Sequence, residues 1–70
     1  MNLTPTEREI INLIAHGFSA KESAVWMKYS QNTMETFRHK LFLKCGVKNA
    51  PELVTWAFDN GILKPKFQTV

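Results

Sequence analysis

The chain has 70 residues, 44% of them hydrophobic, and a net charge of +3. That length fits one domain, in which only about 60% of the unfolded surface can be buried; Leu, Ile, Val and Phe still number 19, which excludes a disordered chain. One Cys excludes an internal disulfide framework and a Cys-based zinc site, and no apolar run approaches the roughly 18 residues of a membrane span. Residues 1–9 lack the basic and apolar regions of a secretory leader. A small cytoplasmic module is therefore expected. Too small to enclose a roomy active site, it is expected to bind rather than to catalyse.

The charge is uneven. Residues 1–35 hold three basic and four acidic side chains, and residues 36–70 hold six basic and two acidic. Arg38, Lys40, Lys44 and Lys48 stand close together with His39 among them. A basic stripe of this kind suits a polyanion partner, and equally a solvated helix face.

Start and stop signals predict four helices, over about 5–16, 20–27, 31–45 and 50–60. The first opens at Thr4-Pro5-Thr6-Glu7, a capping box with Pro at the first helical position. Leu3 is placed for a hydrophobic staple. Ile10, Ile11, Leu13 and Ile14 follow at helical spacing, and Gly17 supplies a left-handed stop after His16. Ser19 to Glu22 is a second capping box. Lys28, Tyr29 and Ser30 allow only a tight turn, and Ser30 caps the third helix. That helix carries Met34, Phe37, Leu41 and Cys45 along one face and ends at Gly46. Asn49 to Glu52 reads as a third capping box. The fourth helix carries Leu53, Val54, Trp56, Ala57 and Phe58 and stops at Asn60-Gly61. A core over 3–63 and a polar tail over 64–70 are expected, with no strand and no repeat. The fold class is all-α, a compact four-helix domain containing a helix-turn-helix.

This order of caps and apolar positions resembles the LuxR-type, or GerE-like, helix-turn-helix family. Leu3-Thr4-Pro5-Thr6-Glu7-Arg8-Glu9 is similar to the family's L-T-x-R-E-x-E entry, and Leu13-Ile14-Ala15-His16-Gly17-Phe18-Ser19 to its L-I-A-x-G-x-S turn. Lys21-Glu22-x-Ala24 matches the start of the second helix. Ser30-x-Asn32-Thr33 matches the opening of the third, and Leu41-Phe42-x-Lys44-Cys45-Gly46-Val47 its close. Leu53-Val54 and Asn60-Gly61-Ile62 match the fourth helix and its exit. The resemblance implies a double-stranded DNA partner, a third helix in the major groove, and a homodimer through the fourth helix. It also implies attachment to a receiver or ligand-sensing domain of a bacterial transcription regulator.

The residues support the same reader. With the apolar stripe turned inward, the third helix offers Asn32, Glu35, Thr36, His39 and Leu43 outward, with Lys40 and Lys44 on its flanks. Asn32, Glu35, Thr36 and His39 are the candidates for base proximity: Asn pairs with adenine, Glu accepts from cytosine, and the Thr methyl meets a thymine methyl. Lys21, Thr33, Arg38, Lys40, Lys44 and Lys48 are the candidates for phosphate. Each has a plainer reading. Glu35 is also a favourable acid near a helix N-terminus, Thr33 also aids capping, Arg38 could pair with an acid of the first helix, and His39 and the lysines could be solvated. Val54, Trp56 and Phe58 are the dimerisation candidates, and each aromatic could instead be core.

Several positions depart from the family. Glu35 stands where Lys is frequent, Phe37 where His is frequent, and Ala50 where Arg is frequent. Ser23 replaces a buried aliphatic, and Val25 and Trp26 occupy commonly polar positions. Either the second helix rotates to bury Trp26, the plainer expectation, or Trp26 faces a partner. These departures also sustain a rival reading, a protein-interaction module that pairs with another regulator and has lost DNA affinity. His16 and His39 have no ligands at metal spacing, and no cofactor is expected. Cys45 is expected to be buried.

Overall fold

The computed structural model describes residues 3–64. Four helices follow in order: α1 (Pro5–Ala15), α2 (Ala20–Met27), α3 (Gln31–Cys45) and α4 (Ala50–Asp59). Among the described residues there is no strand, so the all-α expectation holds. The polar tail expected over 64–70 lies outside the described residues, apart from an exposed Lys64.

The caps act as the sequence predicts, with one exception. The Thr4 hydroxyl accepts from the Glu7 amide at 3.1 Å, and the Glu7 carboxylate accepts from the Thr4 amide at 2.8 Å. Ser19 and Glu22 exchange the same pair of bonds at 3.1 and 2.9 Å. At α4 the exchange is incomplete. Asn49 Oδ1 accepts from the Glu52 amide, but the Glu52 carboxylate takes the Lys48 amide instead of that of Asn49. Asn49 is far more extended, with φ of −155° against −72° at Thr4 and −74° at Ser19, which turns its N–H out of reach. The Leu3 staple is also absent in its strict form. The position it would pack against is the exposed Arg8, and Leu3 instead joins the buried core.

α1 closes one residue before His16, whose ring Nδ1 donates to the Asn12 carbonyl at 2.8 Å. Gly17 then takes a φ of +86°, the left-handed conformation that glycine adopts without penalty. The turn between α2 and α3 is tighter. Lys28 closes α2 in the left-handed region at φ 63°, a conformation costing a non-glycine residue about 1 kcal/mol. The Tyr29 amide returns to the Ala24 carbonyl at 2.9 Å, and the Ser30 hydroxyl caps α3 by accepting from the Thr33 amide. An edge-to-face pair, Tyr29 against Phe37 at 5.4 Å, fastens the turn to α3.

The core joins Ile10, Ile11 and Ile14 of α1, Ala24 of α2, Met34, Leu41 and Cys45 of α3, and Leu53 and Ala57 of α4. Phe37 packs half-buried at its margin. The broadest helix contact is α2 on α3, while α4 rests mainly on α1. Small side chains make the first contact possible, because the face that α2 buries is Ser23 and Ala24.

That choice decides the fate of Trp26. The expected rotation of α2 to bury it does not occur: Trp26 is 63% exposed and Val25 76%. An indole has no room in the seam where Ser23 and Ala24 meet α3. A rotation bringing it inward would lift Ala24 out of the core and strain a helix held by Ser19 at one end and Lys28 at the other.

Ser23 itself is fully buried, and its hydroxyl has no hydrogen-bond partner. A buried hydroxyl without a partner carries an uncompensated desolvation cost of about 1–3 kcal/mol. Ser23→Ala removes that cost at nearly constant volume. Thermal unfolding is expected to show it stabilising the domain by about 1 kcal/mol, a rise in Tm of roughly 4–8 °C; a lower Tm would show that the hydroxyl is satisfied in solution.

Candidate nucleic-acid interface

α3 turns its buried stripe, Met34, Leu41 and Cys45, into the core. Its opposite face carries Asn32, Thr36, His39 and Leu43, all exposed, at positions that fall along one line of a helix. Thr36 donates its hydroxyl to the Asn32 carbonyl at 3.0 Å, one turn back. Its hydrogen-bonding capacity is thus partly spent on the helix, and the methyl is the group it offers outward. Asn32 and His39 keep their side-chain polar atoms free among the described residues.

Glu35 lies to one side of this line. Its carboxylate accepts from the Gln31 amide group at 3.0 Å, one turn earlier, and its charge acts on Arg38. Arg38 is not presented as a free cation. The guanidinium lies 5.9 Å from the centre of the Phe42 ring, and Nη1 is buried without a partner. Burial pulls its pKa down and the Glu35 charge opposes that fall, which leaves an arginine still protonated. Thr33 is occupied too, since its hydroxyl accepts from the Ser30 hydroxyl at 2.9 Å.

The other flank of α3 faces α1. Lys44 Nζ donates to Glu7 Oε1 at 2.8 Å, in the ion pair that ties the end of α3 to the start of α1. Sequence reasoning set Arg38 against an acid of the first helix, but Lys44 takes that place. In the fold, Phe37, Lys40 and Lys44 share the flank of α3 that borders α1. The Glu7 carboxyl is held below its ordinary value, first by the Lys44 hydrogen bond and then by the Thr4 amide. Lys40 stands beside the crevice between α1 and α3, near Thr6, Glu7 and Tyr29. Lys21 at the start of α2 and Lys48 before α4 are exposed, without salt-bridge partners among the described residues.

The structure thus brings Asn32, Thr36 and His39 together on one exposed surface with Lys40 at its edge. It sets Glu35 and Arg38 on one flank, commits Lys44 to Glu7, and leaves Lys21 and Lys48 apart from them. On α4, Val54 and Trp56 are half-buried against the core, while Phe58 is 40% exposed. Cys45 is buried as expected, and burial pushes its thiol up, which keeps it protonated. No group of His, Cys, Asp and Glu among the described residues could hold a metal ion. No described helix is long and apolar enough to cross a membrane.

The short α2, the three-residue turn and the polar outer face of α3 make up a helix-turn-helix, and comparison with known proteins gives its family. The profile of the bacterial regulatory proteins, luxR family, matches residues 1–57. The chain belongs to this family. It is 43% identical over 58 residues to the CsgBAC operon transcriptional regulatory protein of Escherichia coli, covering 83% of this chain and 27% of that protein. It is 41% identical over 61 residues to the transcriptional regulatory protein MctR of Rhizobium johnstonii, covering 87% of this chain and 28% of that protein. The oxygen regulatory protein NreC of Staphylococcus aureus is 37% identical over 62 residues, 89% of this chain and 29% of its own length. The chain therefore spans less than a third of the length of these relatives. No solved structure matches it significantly.

The Glu7–Lys44 pair gives stability a pH signature. A carboxyl whose folded pKa lies below the ordinary 4.5 stabilises the fold above that value and ceases to do so as pH falls through the folded pKa. Glu7→Gln is expected to cost less than about 1 kcal/mol at neutral pH, the usual worth of a partly exposed pair. Denaturant melts over a pH series should show this cost shrinking below 4.5 and vanishing once the wild-type carboxyl is protonated. A cost that persisted unchanged in acid would show that Glu7 acts through shape and not through charge.

Proposed function

We propose that this LuxR-family domain, taken as one unit over residues 3–63, binds double-stranded DNA in a sequence-specific manner as part of bacterial transcription regulation. The observation that carries this reading is the exposed line of Asn32, Thr36 and His39 on a helix whose other face is locked in the core. A helix with small polar side chains outward enters a major groove about 12 Å wide and brings donors, acceptors and a methyl to base edges. Lys40, Lys21 and Lys48 supply phosphate contacts around it, and the first turn of α3 with Thr33 adds a weaker one. Glu35, from its flank, accepts from cytosine N4 or stays with Gln31. Two of the relatives described above, those of Escherichia coli and Rhizobium johnstonii, are transcriptional regulatory proteins, which supports the same role.

In this reading the domain acts as a dimer through α4, with the exposed Phe58 as anchor and Val54 and Trp56 as its floor. The target is then a pseudo-palindrome with half-sites about one helical turn apart. The domain is a binding module and not an enzyme, it works in the cytoplasm where the chromosome lies, and its signal comes from an attached regulatory domain, a second copy or a partner regulator. A second reading, in which the fold pairs with another regulator and binds DNA weakly, draws on Glu35 and on the internal use of Arg38 and Lys44.

Titration of duplex DNA at several salt concentrations separates the two. Three free lysines predict that log K falls against log salt with a slope of about −3 per bound domain. Lys40→Ala should lower that slope by about 1 without changing sequence preference, and His39→Ala should relax preference at one base pair. No binding at low salt would remove the first reading and leave the second.

A further inference from the structure

A single acid borders the outward line of α3. Glu35 lies three residues after Asn32 and four before His39, so on the helix surface it is the neighbour of both. It is exposed, as is Gln31 one turn before it, and no other residue of α3 is acidic. An acid at this place opposes binding to a polyanion. A duplex carries one negative charge for about every 1.7 Å of its axis, so an unpaired carboxylate beside it weakens binding to any sequence. Only a hydrogen-bond donor on the duplex, in reach of the carboxylate, offsets that repulsion.

The fold holds this carboxylate in place without neutralising it. Gln31 Nε2 donates to Glu35 Oε2 at 3.0 Å, a bond from an uncharged amide. Glu35 Oε1 has no hydrogen-bond partner among the described residues. Arg38 stands one turn further along the same flank but makes no salt bridge with it: the guanidinium lies against the Phe42 ring with Nη1 buried. Gln31 and a base are therefore not competing partners for Glu35, because they take different oxygens.

The chemistry that Oε1 accepts is narrow. In the major groove guanine shows two acceptors, and thymine an acceptor and a methyl. Adenine N6 is a donor, but the N7 acceptor beside it repels a carboxylate. Cytosine N4 is a donor with no acceptor beside it on its own base. A carboxylate has no proton to give in return, unlike the Asn32 amide, which both donates and accepts. We propose that Glu35 is a specificity-determining residue that admits cytosine at one position of the target and rejects the other bases there, with Gln31 as the residue that positions its carboxylate. The inference rests on the reading of α3 as the helix that meets DNA. Its specificity comes from rejection as much as from attraction. Glu35 lowers affinity for every duplex that lacks the amino group at that place, and so keeps the domain off unrelated sequence.

Selection of duplexes from a random pool, run in parallel with wild-type, Glu35→Ala and Gln31→Ala domains, tests it. Both substitutions fall on exposed side chains, and thermal melts check that the variants are folded. Wild type should require a C·G pair at one position where Glu35→Ala accepts any pair. Replacing that cytosine with 2-pyrimidinone removes the amino group alone. The change should weaken wild-type binding about tenfold and Glu35→Ala binding by less than about twofold, so that Glu35→Ala controls for the weaker base pair. Replacing the paired guanine with 7-deazaguanine should leave wild-type binding within about twofold. On a duplex without the site, Glu35→Ala should bind about threefold more tightly than wild type at low salt, a gap that closes as salt rises. Gln31→Ala should lose part of the preference for cytosine while keeping the salt dependence and the melting temperature of wild type, which separates positioning from a structural role. Equal losses on 2-pyrimidinone for wild type and Glu35→Ala, or no position whose preference changes in Glu35→Ala, would overturn the proposal and leave the DNA-binding reading standing. Failure of the wild-type domain to select any duplex would overturn both.

Discussion

Burial of Met34 and Leu41 in the core that α3 shares with Ala24 of α2 sets the rotation of α3, and the surface chemistry of the domain follows from that rotation. Each of these side chains contributes about 1.5–3 kcal/mol by leaving water, so a turn of α3 about its axis is strongly opposed. With them inward, Asn32, Thr36, His39 and Leu43 have no other direction than outward. The same seam needs Ser23 and Ala24 on α2, and small residues there leave the larger Val25 and Trp26 on the solvent side. One packing decision thus generates a polar face on α3 and an apolar face on α2.

Electrostatics refine what packing positions. The stretch from Arg38 to Lys48 carries four full positive charges in the sequence, but they are not equivalent in the fold. Lys44 fastens α3 to α1 through Glu7, and Arg38 lies against Phe42 with part of its guanidinium buried. Lys40 and Lys48 remain for a phosphate, together with Lys21 from α2. A domain that commits half of its local cations internally gains affinity for DNA more from fit than from charge, which suits a regulator that should not adhere to every sequence.

The sequence was most legible where local chemistry is self-sufficient. Capping residues act within one turn, so Thr4, Ser19 and Ser30 could be assigned before any tertiary structure, as could the stops at Gly17 and Gly46. The apolar stripe of α3 was legible by its period. What escaped depends on partners distant in the chain. Lys44 meets Glu7 across 37 positions, and no local pattern distinguishes it from Arg38 for that role. Trp26 was expected inside because a small core usually takes its largest side chains, and only the width of the α2–α3 seam excludes it. The displaced half of the Asn49 capping box depends on a single backbone dihedral, which composition does not encode. For the candidate interface, the outward line on α3 was readable, while the withdrawal of Arg38 and Lys44 from it was not.

The central claim is that the outward line of α3 is the surface that meets DNA. Backbone amide shifts of the isotopically labelled domain, followed as a duplex chosen from a random pool is added, test it directly. The account predicts that the largest changes cluster at Asn32, Thr36, His39 and Lys40, with smaller ones at Lys21 and Lys48. Changes concentrated on α4 or on the exposed face of α2, with α3 silent, would contradict it.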